Sequence, residues 1–192
     1  MSELTKKQYS KTLLKKYFQE HSLVASDIES FNNFVDFELQ QIIEENKEIQ
    51  PTIIPHNIDE FTIKFDKIWV EKPTITEADG SKKNIFPVEA RLRKITYAAP
   101  CLIEVSAHIN GVQRELFTTQ IANLPIMLKS KYCHLKNMAR EELIKTGEDP
   151  DDPGGYFIIN GTEKVLISVE DLAANKLLIE KQKIGVSKFV GR

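Results

Sequence analysis

The chain has 192 residues, with 26 Lys or Arg against 28 Asp or Glu and a formal net charge of −2. That length can build a real core, and the charge balance excludes a protein marked as a nucleic-acid binder by total charge alone. No apolar run reaches the ~20 residues of a membrane span, and MSELTKKQYSKTLLKKYF at the start lacks the apolar centre of a secretion signal. Two cysteines, Cys101 and Cys133, exclude a disulfide framework and point to a reducing, cytoplasmic setting.

Tyr9 to Phe18 is Lys-rich, with Leu13, Leu14, Tyr17 and Phe18 on one side, which predicts an amphipathic helix. A second helix is expected from Ser26, with Ser26 as cap and Glu29 as its partner three residues on. Its apolar stripe is Ile28, Phe31, Val35, Leu39 and Ile42, and Pro51 closes it. After Pro55 the period changes. FTIKFDKIWV alternates at Phe61, Ile63, Phe65 and Ile68, a strand pattern, and Glu77 to Lys83 reads as a polar turn. Cys101 to His108 and Val112 to Ile121 read as strands joined by Asn110-Gly111, a hairpin signal. A short helix is expected over Lys136 to Lys145, ending near Gly147. Two last strands, Tyr156 to Ile159 and Lys164 to Ser168, flank an Asn160-Gly161 turn. Helices first and strands after predict an α+β fold, N-terminal helices on a mostly antiparallel β scaffold.

Charge is unevenly spread. Ser26 to Glu60 holds nine acids and one base, Ser81 to Arg140 ten bases and three acids, and Glu141 to Gly155 six acids and one base. A basic middle third can present a positive face on a near-neutral protein. Arg91, Arg93 and Lys94 stand beside Tyr97, and Lys129 and Lys131 share one side if that segment is a strand. Such groups suit a phosphate backbone, or bind acids of the same domain, with Glu89 and the acidic helix as candidates. The acidic stretch Glu148-Asp149-Pro150-Asp151-Asp152 lacks the register of a calcium loop. Gly154-Gly155 belongs to no phosphate-binding pattern, and Cys133-His134 has no second ligand pair. No metal site and no assembled nucleophile, base and oxyanion site is legible. A free-standing protein-interaction module and a small metal enzyme stand as alternative classes.

Three longer stretches occur in order: PVEARLRKITYAAP (87–100), LPIMLKSKYCHL (124–135) and GEDPDDPGGYFIINGTEKVLISVEDLAANK (147–176). Together they resemble the N-terminal, protrusion region of the second-largest subunit of archaeal-type multisubunit DNA-directed RNA polymerase. The resemblance implies a nucleotidyltransferase assembly active in transcription, in which this segment is a non-catalytic wall of the DNA cleft near the RNA–DNA hybrid. It implies a helical segment at 1–55, a protrusion-like β-rich domain at 56–175 and the start of a connection toward the lobe at 176–192. The uncapped Val186, Phe189 and Val190 fit a chain that continues.

The resemblance further implies other polymerase subunits, including the largest, as partners, with DNA, nascent RNA and general transcription factors, and no membrane. No cofactor is implied in this segment, the assembled enzyme using magnesium held elsewhere, and no catalytic residue is carried over. Arg91, Arg93, Lys129, Lys131 and Lys164 are the candidates to face nucleic acid. Gly154, Gly155, Asn160 and Gly161 are expected to make a tight two-stranded corner that buries Phe157, Ile158, Ile159, Val165, Leu166 and Ile167.

Overall fold

The computed structural model describes residues 3–54, 56–167, 169–174, 176–177, 179–181 and 189–191. Helix α1 covers Glu3–Glu20. A second helical stretch follows as α2 (Ala25–Asn33), a π-helical turn (Phe34–Glu38) and α3 (Leu39–Glu45). Ser26 does not cap it: the helix starts one residue earlier, the cap position is Val24, and no side chain makes a capping bond. Phe31 and Val35 face the core, with Ile28 and Leu39 at its margin, while Ile42 is exposed. The stretch ends at Glu45, short of Pro51, because the chain leaves it to pair β1 (Glu48–Ile49) with β2 (Phe61–Val70).

One four-stranded antiparallel sheet runs β1-β2-β5-β6, with β5 at Ala98–Ile109 and β6 at Val112–Pro125. A register shift between Phe65 and Ile68 bulges β2 against β5. A bulge leaves backbone groups without ladder partners. Gln40 of α3 supplies them: its amide donates to Asp66 O (2.9 Å) and its Oε1 accepts from Ile68 N–H (3.1 Å). That pair fixes α3 on the sheet. The β5–β6 turn is Asn110-Gly111 as read, with both residues at positive φ (49° and 74°), the type I′ pattern.

Between β2 and β5 lie a small hairpin, β3 (Thr74–Thr76) with β4 (Lys82–Asn84), and α4 (Pro87–Leu92). Helix α4 was not foreseen. Its signal is Pro87 at the first helical position, where the missing N–H costs nothing. Past β6 the chain runs in turns to α5 (Arg140–Lys145), which starts four residues later than expected. Glu142 sets that start by accepting the Ala139 N–H at 3.0 Å. At its end Glu148 N–H returns to Leu143 O (2.9 Å) beside Gly147.

The final corner is β7 (Phe157–Ile159), Asn160-Gly161 and β8 (Thr162–Lys164). The strand expected over Lys164 to Ser168 therefore lies earlier in the chain. Ile158 is fully buried and Phe157 and Ile159 partly so, but Val165, Leu166 and Ile167 are 66%, 72% and 82% exposed. The expectation that these three are buried is thus corrected: after Lys164 no element of the described chain lies over them. Ser168 and Val186 lie outside the described residues; Phe189 and Val190 fall in β10 (Phe189–Gly191), which pairs with β9 (Ile179–Lys181). The core gathers Tyr97, Ile85, Ile126, Leu128 and Ile158, with Cys101 and Cys133 as free, buried thiols.

Candidate nucleic-acid interface

The corner is stitched from both sides. Tyr97 N–H donates to Ile158 O (3.0 Å), Leu128 N–H to Tyr156 O (2.9 Å), Gly155 N–H to Leu128 O (3.1 Å) and Gly161 N–H to Ile95 O (3.0 Å). Gly155 has φ +78°, and a Cβ there would lie 2.7 Å from Val24 Cβ; at Gly161 (φ +75°) it would lie 2.7 Å from Lys94 Cα. These glycines answer both a backbone angle and a lack of room. Asn160 (φ +52°) is pinned by its N–H to Thr96 Oγ1 at 3.1 Å.

Arg91 of α4 sits at the centre of this corner. Its Nη1 donates to Glu148 Oε2 (3.0 Å), its Nε to Glu163 Oε1 (2.8 Å) and its Nη2 to Tyr156 Oη (2.8 Å). Glu148 is buried, and its other oxygen accepts Val88 N–H at 2.6 Å. Burial alone would lower the Arg91 pKa, but Glu148 and Tyr156 hold it above the ordinary value. The Tyr156 hydroxyl donates to Asp152, and burial followed by that carboxylate raises its pKa.

Arg93 lies against Glu77 (2.8 and 3.2 Å) and Glu89 (3.0 Å), which Lys83 also approaches at 3.5 Å. Lys131 grips Asp36 of the π-helical turn with both oxygens at 2.8 and 2.9 Å, and Tyr132 donates to the same carboxylate. Lys131 and Tyr132 thereby hold the Asp36 carboxyl below its ordinary pKa. Lys129 donates to the backbone carbonyl of Asp152. Lys129 and Lys131 do not share a strand face: Leu128 to Lys131 is a turn, with Lys129 at φ +61°. Period-two alternation does not apply to a turn, and the two side chains find separate partners.

The five cations therefore form no single bed. Around Arg91, Arg93 and Lys83 stand Glu148, Glu163, Glu77 and Glu89, four carboxylates for three cations. Lys164, at the end of β8, and Lys129, which holds only a backbone carbonyl, are the two of the five without an ion pair among the described residues. Of these, Lys164 has no hydrogen-bond partner for its side chain among the described residues either. It borders an apolar groove of about 860 Å³ with Phe31, Phe34, Leu124, Phe157 and Val165. Of the acidic partners, Glu89 and the acidic helix can be named from the sequence, and they hold Arg93 and, through Asp36, Lys131. The partners of Arg91 were missed because they lie 57 and 72 residues away. The acidic loop also turns to its own chain: Asp149 accepts Asp151 N–H (2.9 Å), Asp152 accepts Gly154 N–H (2.8 Å) and Asp151 pairs with Arg140 (2.7 and 3.0 Å). Among the described residues no three His, Cys, Asp or Glu come together as metal ligands, and no helix is long and apolar enough to cross a membrane.

A family model described as RNA polymerase beta subunit matches residues 22–190. The chain belongs to the RNA polymerase beta subunit family. It is 49% identical over 173 residues to DNA-directed RNA polymerase subunit Rpo2N of Methanocaldococcus jannaschii, covering 88% of this chain and 34% of that one. It is 41% identical over 170 residues to the Rpo2N subunit of Methanothermobacter thermautotrophicus, covering 88% and 32%. It is 42% identical over 173 residues to the Rpo2 subunit of Saccharolobus solfataricus, covering 90% and 15%. The chain thus spans about a third or less of the length of the relatives it matches. The chain is the N-terminal region of an archaeal-type second subunit, and its α+β fold, helices beside a mostly antiparallel sheet, agrees with that.

Proposed function

We propose that this chain is a non-catalytic wall of the DNA cleft in a cytoplasmic DNA-directed RNA polymerase, lying near the RNA–DNA hybrid. The observation that carries the reading is the match to polymerase second subunits over nearly nine-tenths of the chain. The stitched corner supports it, because a cleft wall needs a rigid backbone more than reactive side chains. Other polymerase subunits, the largest among them, would be its partners, with DNA, nascent RNA and general transcription factors. The polymerase would use magnesium, but this chain's described residues do not fit a site for it, since the acidic loop's carboxylates already accept the chain's own donors.

Nucleic-acid contact falls first to Lys164. Arg91, Arg93 and Lys131 hold carboxylates, and a cation already neutralised releases few counterions on meeting phosphate. Their pairing favours a second role for them, as ties that fix the shape of the wall. The test is a salt titration of hybrid binding by reconstituted polymerase carrying the full-length subunit. Lys164→Ala should flatten the log–log salt slope by about 1, and Arg93→Ala should leave it unchanged. An unaltered slope for Lys164→Ala would remove nucleic acid from this corner. Failure of the subunit to assemble with its partners would remove the polymerase reading altogether.

A further inference from the structure

Among the described residues, strand β6 ends the sheet on one side, pairing with β5 alone. It is also bare on both faces: residues 112–123 are all exposed, and the neighbours Leu116 and Phe117, which point to opposite faces, are 55% and 48% accessible. The direction of its backbone groups follows from the sheet. Phe65 N–H donates to Lys47 O at 2.8 Å, so Phe65 turns toward β1. Its partner Val105 therefore turns toward β6 and bonds Phe117. One residue on, Thr118 turns its N–H and C=O outward, and Leu116 and Gln120 do the same. The register is unbroken from Glu115 to Gln120, so this row is continuous.

A free edge of this length invites pairing unless it is blunted by lysines, proline or inward charges. Strand β6 has no lysine, its two charged residues, Arg114 and Glu115, precede the Leu116–Gln120 row, and its only proline, Pro125, stands at its last position. The Gln120 side chain covers one carbonyl, that of Ala122, at 3.4 Å. The edge is thus built to be covered, and about two thirds of the length of the Rpo2N relatives lies outside this chain.

We infer that β6 receives a further strand, contributed by the part of the same polymerase subunit that this chain does not span. This rests on the polymerase reading. A strand in the same polypeptide meets the edge as an intramolecular partner, which favours it over a strand from a separate protein. Main-chain bonds to Leu116, Thr118 and Gln120 fix its register, and alternate apolar side chains cover Leu116 on one face and Phe117 on the other.

The test is amide hydrogen exchange on assembled polymerase containing the full-length subunit, with a photoreactive residue in place of Thr118 in a parallel sample. The amides of Leu116, Thr118 and Gln120 should exchange at least about a hundredfold more slowly than in an unstructured peptide. The cross-link should map to the same subunit outside the 192 residues of this chain. Unprotected outward amides in an assembled enzyme, or a cross-link to a different subunit, overturn the inference and leave the polymerase reading standing. A subunit that does not assemble overturns both.

Discussion

The Arg91 corner and the β5–β6 hairpin are both closed by an Asn-Gly turn of the same type, yet they are opposite kinds of structure. At the corner one turn is held by backbone bonds to Leu128 and the other by a backbone bond to Ile95, and the glycines have no room for a methyl group. On the hairpin Gly111 has nothing within 4 Å of where a Cβ would stand. The same local chemistry therefore makes a fixed joint in one place and a free projection in the other. What differs is the long-range contact around the turn, not the turn.

The largest expected effect sharpens that contrast. Gly155→Ala should destabilise the subunit by about 3 kcal/mol or more, from positive φ and the collision with Val24 together. Gly111→Ala, with the φ cost alone, should lose about 1 kcal/mol. Denaturant titrations of the two variants measure the gap, and equal losses would erase the distinction between the regions.

Next is Arg91→Met, which leaves the buried Glu148 only its bond from Val88 N–H and should cost about 2–3 kcal/mol in the same titration. The exposed pair of Arg140 with Asp151 should give less than about 1 kcal/mol on Arg140→Ala.

A smaller effect is pH-dependent. The Asp36 carboxyl has a lowered pKa when folded, so its pairing stabilises above the ordinary carboxylate range. That contribution fades as pH falls through the folded value. Asp36→Asn should flatten the acid limb of a stability–pH curve, and an unchanged limb would show that Lys131 and Tyr132 do not anchor the π-helical turn. Smallest of all, Lys164→Ala should move stability by no more than about 0.5 kcal/mol, since no ion pair is lost.

Elements whose signal is local were legible in the sequence. The strand alternation of β2, the two Asn-Gly turns and the stripe through Phe31 and Val35 are all set by residues a few places apart. Helix α4 had a signal, Pro87 ahead of Val88 and Glu89, that was hidden inside a longer motif. The candidate site was less legible. Its basic residues can be named from the sequence, as can Glu89 and the acidic helix that carries Asp36, but Glu148 and Glu163 are brought to Arg91 only by the fold. The mistaken common side for Lys129 and Lys131 arose from applying a strand period to a turn. The misplaced last strand arose because Val165-Leu166-Ile167 has strong β propensity, while pairing stops at Lys164.

That exposed run has a consequence for synthesis. Val165-Leu166-Ile167 is a short, uncharged, β-prone stretch, half the length of a cross-β segment but of its composition. Glu170 and Asp171 follow within four residues of it and act as gatekeepers, their like charges repelling a second copy laid alongside. A nascent subunit would rely on those two carboxylates to stay dispersed.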